Sequence, residues 1–412
     1  MKTRAAFFSF FWILALNASS FASDLALVHA KIYPAPDALS IADGTIVMHD
    51  GRIQEVGPST KVKVPAGVSV LDCKGLVVTA GFWNSHVHIL TTGLLQAEKR
   101  TPEELNPQLE EMFLRWGFTT VFDTASVLSN TNNIRQRIAK EELRGPHILT
   151  VGEPFYPKNG TPVYVRKFLA ENHIPSAEVD SAEQAVARER QEIHDGADGV
   201  KIFTGAIEEH GVLTMSLDIA KALVSEAHHA GKPVFAHPSN QAGLDIAIQS
   251  GVDILAHTAP MSGDWPPAFT EKLKNAHMAL IPTLTMFDVE AKKAKVSDEE
   301  AQQWIAQAVR ELEAYSDAGG QILFGTDIGY IEHYDTTEEF TLMARAGMSF
   351  QQILASLTTN PAKRFGYSKS GRIAKGMDAD LVVLNGDPAS DITSFSRVRQ
   401  VIRGGKVIYS AH

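Results

Sequence analysis

Between about Leu76 and Gly366 the chain alternates short apolar runs with amphipathic stretches, and this alternation is what most limits the fold. The runs are Leu76 to Ala80, Thr119 to Phe122, His147 to Val151, Val200 to Phe203, Val234 to Ala236, Ile254 to Ala256, Ala279 to Ile281 and Ile322 to Phe324. Between them, segments such as Glu103 to Trp116, Ala182 to His194, Ile219 to Ala230 and Ala301 to Ser316 carry apolar residues at helical spacing. A short run buried on both faces, followed by an amphipathic helix, is the βα unit of a parallel sheet. Repeated along residues 76–366, it predicts an α/β fold closed as a (β/α)8, TIM-like barrel. A doubly wound open sheet is the alternative, but the glycine-rich phosphate fingerprint expected after its first strand is absent.

The two ends read differently. Leu25 to Ile32, Gly44 to His49, Arg52 to Val56 and Val68 to Asp72 are short β-rich segments punctuated by turn signals such as Asp50-Gly51. Ala379 to Leu384 and Val398 to Ile408 return to that texture. Residues 23–75 and 367–412 are therefore expected to assemble one small β-sandwich from both termini. Residues 1–22 read as a signal peptide. Lys2 and Arg4 precede the apolar stretch Ala5 to Leu16, and Ser20-Phe21-Ala22 offers a cleavage site. The expectation is a secreted or periplasmic protein without a stable membrane anchor, since the apolar run is short for a bilayer. An uncleaved anchor is the competing reading. The net charge of −10 disfavours nucleic acid and anionic membrane as partners and favours a small-molecule or dipeptide substrate. Cys73 is the single cysteine, which excludes an internal disulfide and a cysteine-based metal site. Oligomeric state is left open, a homo-oligomer included.

The chemistry lies in where a few polar residues fall. His86 and His88 follow the first run, and an extended backbone points alternate side chains the same way. Lys201 lies within the fourth run, while His237, His257 and Asp327 stand at the ends of the fifth, sixth and eighth. In a β/α barrel these ends share the face that carries active sites. A single histidine on a strand is ordinarily a hydrogen-bonded core or surface residue. The chain has 15 histidines, and most of those outside this set scatter over turns and helices, as His49, His194, His228, His229 and His277 do. Lys201, flanked by Val200, Ile202 and Phe203, is costly as a buried ammonium and needs a role. A neutral lysine amine can react with carbon dioxide to give an anionic carbamate.

This pattern resembles the amidohydrolase superfamily in its binuclear, carboxylated-lysine subtype, near the prolidase-like and imidazolonepropionase-related members. The matching residues are His86-x-His88, Lys201 in Gly199-Val200-Lys201-Ile202, and His237 in Phe235-Ala236-His237. His257 in Leu255-Ala256-His257 and Asp327 in Phe324-Gly325-Thr326-Asp327 complete the set. Thr359-Asn360-Pro361-Ala362 and Gly376-Met377-Asp378-Ala379-Asp380-Leu381-Val382 resemble the family's closing region. The family commonly has Asp where this chain has Asn84.

The resemblance implies two divalent metal ions, zinc foremost, with manganese, iron or cobalt open. His86, His88 and Asp327 would hold one ion, and His237 and His257 the other. N6-carboxylated Lys201 and a hydroxide would bridge them, with Asp327 as the catalytic proton shuttle for amide cleavage in dipeptides or N-acyl amino acids. Tyr156, Tyr164, Arg166, Tyr330 and His333 are candidate substrate contacts on loops at the barrel mouth. A mononuclear deaminase is disfavoured because Pro238, Ser239 and Asn240 follow His237 where deaminases carry a nearby Glu. Lys201 argues against imidazolonepropionase activity itself. Esterase, lactonase or phosphotriesterase chemistry on the same metal pair remains an alternative, and a non-enzymatic scaffold a remote one.

Overall fold

The computed structural model describes residues 24–411, so the signal peptide expected at residues 1–22 lies outside the described residues. Among the described residues, no helix is long and apolar enough to cross a membrane.

The chain opens with β1 (Leu25–Ile32), β2 (Ile41–His49), β3 (Arg52–Pro58), β4 (Ser69–Asp72) and β5 (Val77–Ala80). It then enters a run of parallel strands: β6 (Phe82–Val87), β7 (Phe118–Asp123) and β8 (His147–Thr150) form one arc. A second arc holds β9 (Val200–Phe203), β10 (Val234–His237), β11 (Ile254–Ala256), β12 (Ala279–Ile281) and β13 (Gln321–Ile322). The chain ends in β14 (Leu381–Leu384), β15 (Val398–Arg403) and β16 (Lys406–Ser410).

The parallel strands are those the apolar runs predict, with one displacement. The run from Leu76 to Ala80 is not the first barrel strand, because β5 pairs with β1 and β14 in the terminal sheet. The barrel begins one segment later, at β6, whose six residues are all buried. The arcs do not join in one continuous ladder, so the expected closed barrel is met at its seams only by isolated contacts. Phe155 bridges to Ile202 at one seam and Val87 to Ile328 at the other. Ser85 N–H also donates to the Phe324 carbonyl at 2.7 Å across the second seam.

Strands from both termini do come together, in the order β16-β15-β14-β5-β1-β2-β3 with β4 also on β1. They form one connected eight-stranded sheet, and strand pairing alone does not divide it into the two layers expected of a sandwich. The cause is β1, which pairs with β2 along one edge and with β4 and β5 in succession along the other, leaving no break.

Helices pack outside the strands, and their ends follow from local chemistry. Ser181 and Ser297 accept the N–H of Gln184 and Glu300, capping the helices Ala182–His194 and Asp298–Asp317. Inside the strands, Trp83, Phe122, Leu149, Phe235, Ile254, Ala279, Ile281 and Leu323 form one apolar cluster. Each large side chain of such a cluster contributes about 1.5–3 kcal/mol by burial. This plug fills the barrel interior, so polar side chains on the same strands meet only beyond it, at the C-terminal ends.

Candidate metal centre at the barrel mouth

The six residues singled out in the sequence converge at those ends. His86 lies in β6 and His88 just after it; Lys201 is the second residue of β9; His237 closes β10; His257 follows β11. Asp327 lies on the segment after β13 and is pinned to β6, its N–H donating to the His86 carbonyl at 2.9 Å. The rings of His86 and His257 stand 4.6 Å apart, those of His237 and His257 4.7 Å, and those of His86 and His88 5.2 Å. His86, His88 and Asp327 offer donor atoms all within 4.8 Å of one another.

The backbone is bent to achieve this. His257, Thr283 and Asp327 hold φ of 85°, 46° and 63°, a left-handed region that residues with a Cβ rarely adopt. Such strain gathers where surrounding structure enforces it, and here it falls at three strand ends around one point. Gly329, at φ 97°, passes so close to the His88 carbonyl that any Cβ there would overlap it.

Hydrogen bonds select which ring nitrogens face inward. The His88 Nδ1 meets the Ala125 carbonyl at 3.0 Å, and a carbonyl only accepts, so Nδ1 carries the proton. With the Nδ1 proton directed to Ala125, His88 turns Nε2 toward Asp327 Oδ1, 2.8 Å away, a contact that a proton or a cation must bridge. Thr283 spends its own hydrogen on the Pro282 carbonyl at 2.8 Å, so it accepts from His257 Nδ1 at 2.6 Å, leaving His257 Nε2 unprotonated. His86 is fully buried and neither ring nitrogen has a hydrogen-bond partner among the described residues; its Nε2 lies 3.1 Å from Asp327 Oδ1, off the hydrogen-bond line. A buried imidazole with two orphaned nitrogens costs about 1–3 kcal/mol unless something else binds it. Neutral imidazoles with inward lone pairs, beside a carboxylate, are the donor set of a divalent metal.

The electrostatics agree. Burial, and then Lys201, pushes His86 down to about 3, and burial holds His237 and His257 well below the usual imidazole range, so these rings are neutral at pH 7. Burial opposes a charge on Asp327, but His86 and His88 outweigh it and hold the carboxyl well below the ordinary carboxylate range. Lys201 is 1% exposed, and burial lowers its ammonium to about 7, partly offset by Asp327. A neutral amine, the form that combines with carbon dioxide, is therefore accessible at physiological pH. Phe203 points the same way from β9 and stacks on His237, ring centroids 4.6 Å apart.

Asn84, where the family usually has Asp, is fully buried with its side-chain amide engaged at both ends. Its Nδ2 donates to Thr326 Oγ1 at 2.7 Å and its Oδ1 accepts the His86 N–H at 3.2 Å, tying β6 to the segment that carries Asp327.

The five candidate substrate contacts divide. Tyr164 and Tyr330 pair with ring centroids 5.2 Å apart, and Asp327 acts on the ionisation of both, which places them beside the donor cluster. Tyr156 is buried against Phe203 at 4.7 Å, forming wall rather than rim. Arg166 is engaged by Glu208 and Glu209 of the hairpin Gly205–Thr214. His333 is exposed near Glu338. Sequence reasoning missed Thr283, which sets the His257 tautomer, and Asp123, a buried acid ending β7. Asp123 stands directly after an apolar run, the position that also marks His237 and His257.

A cavity of about 680 Å³ opens elsewhere, at the N-terminal ends of the strands, lined by Trp83, Arg135, His147, Asp198, Tyr367 and Arg403 among others. None of the six donors lines it.

Parallel βα units with a buried imidazole and carboxylate cluster at the C-terminal strand ends define a class of barrel hydrolase. The chain belongs to the Amidohydrolase family, which it matches over residues 77–408. It is accordingly a hydrolase acting on carbon–nitrogen bonds, in a family that generally uses divalent metals. It is 23% identical to imidazolonepropionase of Thermoplasma acidophilum over 409 residues, covering 89% of each chain. Its fold matches that of a Xaa-Pro dipeptidase crystallised with methionine in the active site, at TM-score 0.81 and 23% identity, covering 94% of this chain and 100% of that one. It also matches a putative prolidase from Bifidobacterium longum at TM-score 0.77 and 24% identity, covering 94% of each.

Proposed function

We propose that this chain is a binuclear metal-dependent hydrolase of small amides, dipeptides or N-acyl amino acids foremost, exported by the leader read at residues 1–22. The observation that carries the reading is the buried, neutral His86, both ring nitrogens unpartnered among the described residues, gathered with His88 and Asp327 at one point. His86, His88 and Asp327 would hold one divalent ion, and His237 and His257 a second, with carboxylated Lys201 between them. Zinc suits this mixture of imidazole and carboxylate-type oxygen. When bound, such a pair lowers the pKa of water toward about 7 and polarises a carbonyl oxygen.

The protein supplies the rest. Asp327 is held ionised by His86 and His88, so it can accept the proton of the attacking water and return it to the leaving nitrogen. Tyr164 and Tyr330, paired on the side next to Asp327, would shield that side of the site from bulk water. The apolar plug beneath closes the site from below, which strengthens every charge interaction within it. Likeness to the Xaa-Pro dipeptidase fold supports small amide substrates.

A panel of Xaa-Pro dipeptides, N-acyl amino acids and matched esters, run on zinc-loaded protein with bicarbonate, tests this. Amide turnover abolished by a chelator and restored by metal is the expected result. Turnover of esters with no cleavage of any amide would overturn the amide reading and leave the metal centre standing.

A further inference from the structure

Beyond the six candidate donors, one buried carboxylate at the same end of the barrel gathers partners from every neighbouring segment. Asp123 is the last residue of β7 and has no solvent exposure. Its Oδ1 accepts the Ile89 backbone N–H at 3.1 Å. Its Oδ2 accepts from Thr150 Oγ1 at 2.8 Å, from Thr131 Oγ1 at 3.1 Å, and from Ser126 Oγ. Those donors come from the segment after β6, the end of β8, the helix Leu128–Ala139 and the loop after β7. A carboxylate out of water persists only with such matching, and four donors exceed what holding one strand end requires.

Two of the four lead to His88. Ile89 N belongs to the peptide bond that joins it to His88, so this contact fixes the backbone directly beyond the imidazole. Ser126 follows Ala125, whose carbonyl receives the His88 Nδ1–H. The Ser126 N–H is itself held by the Gly152 carbonyl at 2.8 Å, so the turn has little freedom. The backbone of His88 and the outer nitrogen of its ring are thus held by groups that converge on one carboxylate. What remains is Nε2, facing Asp327.

We propose that Asp123 is a positioning residue for the metal centre, fixing the orientation and tautomer of His88 through the Ile89 amide and the Ala125–Ser126 turn. The proposal rests on the reading of His88 as a metal ligand. Partners at one remove from a metal typically govern affinity by roughly 10–100-fold. Asp123→Asn keeps the shape of the side chain but must turn its NH2 group toward either the Ile89 N–H or the hydroxyls. The hydroxyls can rotate to accept, so the chain still folds while the pull on Ser126 is reversed.

The test is a titration of metal-free wild type, Asp123→Asn and Ser126→Ala with Co²⁺ alone, following its visible absorption, beside thermal unfolding of the same metal-free proteins. Both variants are expected to unfold within a few degrees of wild type, yet to bind Co²⁺ roughly 10–100-fold more weakly with an altered band. An unchanged affinity and band in both variants overturns the proposal, even if Tm falls, because Asp123 would then serve packing alone. Should Asp123→Asn fail to fold, Ser126→Ala decides, since it leaves the Ile89 contact and the carboxylate in place. A wild-type protein that takes up no Co²⁺ is a different failure, and overturns the metal centre itself.

Discussion

The two ends of the barrel are made by the same strands and treat charge in opposite ways. At the N-terminal ends, beside the cavity of about 680 Å³, charges are matched by neighbours. Arg135 pairs with Asp198, Arg52 with Asp378, and Asp380 accepts the Gly404 N–H at 2.7 Å. At the C-terminal ends, among the described residues, His86 is buried with both nitrogens orphaned, Lys201 is buried without an ion pair, and His88 Nε2 meets Asp327 Oδ1 at 2.8 Å, a contact that a proton or a cation must bridge. A folded chain tolerates such mismatch only where something else completes it. The size of a cavity therefore does not find this site. The unfinished chemistry of its donors does.

The sharpest way to break the contrast is Asp327→Asn. A neutral amide cannot accept the proton, so turnover should fall by at least about 10²–10⁴-fold, the usual reach of general acid–base catalysis. A variant retaining near wild-type turnover would contradict the proton shuttle. Next comes Lys201→Met, which removes a buried amine of similar length. Metal content should fall from about two ions per chain toward about one, with metal-free stability unchanged or raised, since a desolvated charge is lost. Full metal retention measured by elemental analysis would show that Lys201 is not a bridge. Thr283→Val frees His257 Nδ1, and roughly tenfold weaker metal binding is expected in calorimetric titration.

The opposite end should respond differently. Arg135→Ala breaks a half-buried pair and should cost less than about 1 kcal/mol of stability while leaving kcat/KM within about twofold. A large activity loss there would mean that the matched end takes part in the chemistry. The smallest effect concerns Asp380, whose carboxyl burial pushes up to about 6. An acid with a raised folded pKa holds more protons folded than unfolded between its ordinary value and the raised one. Its effect is therefore a loss of stability as pH climbs from about 4 to about 6. Asp380→Asn should raise Tm at pH 7 and leave it unchanged at pH 4, with activity unaffected. Equal shifts at both pH values would refute the burial account.

Much of this is legible in the amino-acid sequence, for identifiable reasons. The alternation of apolar runs and helices is local, and seven of the runs became the barrel strands β7 to β13. The convergence of the six candidate donors is legible because a strand end marks a place in three dimensions. The first barrel strand was misplaced because Val77–Ala80 and Phe82–Val87 are adjacent buried runs separated by Gly81, and periodicity does not say which sheet a buried run joins. Arg166 stands on a mouth loop as a candidate substrate contact, but its partner Glu208 comes 42 residues later on a hairpin. Thr283 and Asp123 stayed hidden for the same reason, since their importance lies in contacts with His257 and the His88 turn that no local pattern encodes.

The central claim, that these unsatisfied donors exist to hold a pair of metal ions, is tested most directly by metal content per chain in protein produced with zinc and bicarbonate. About two ions per chain is the predicted result. A firm value of about one would contradict the bridged pair and point to an uncarboxylated Lys201 with mononuclear chemistry, and no tightly bound metal at all would contradict the metal centre outright.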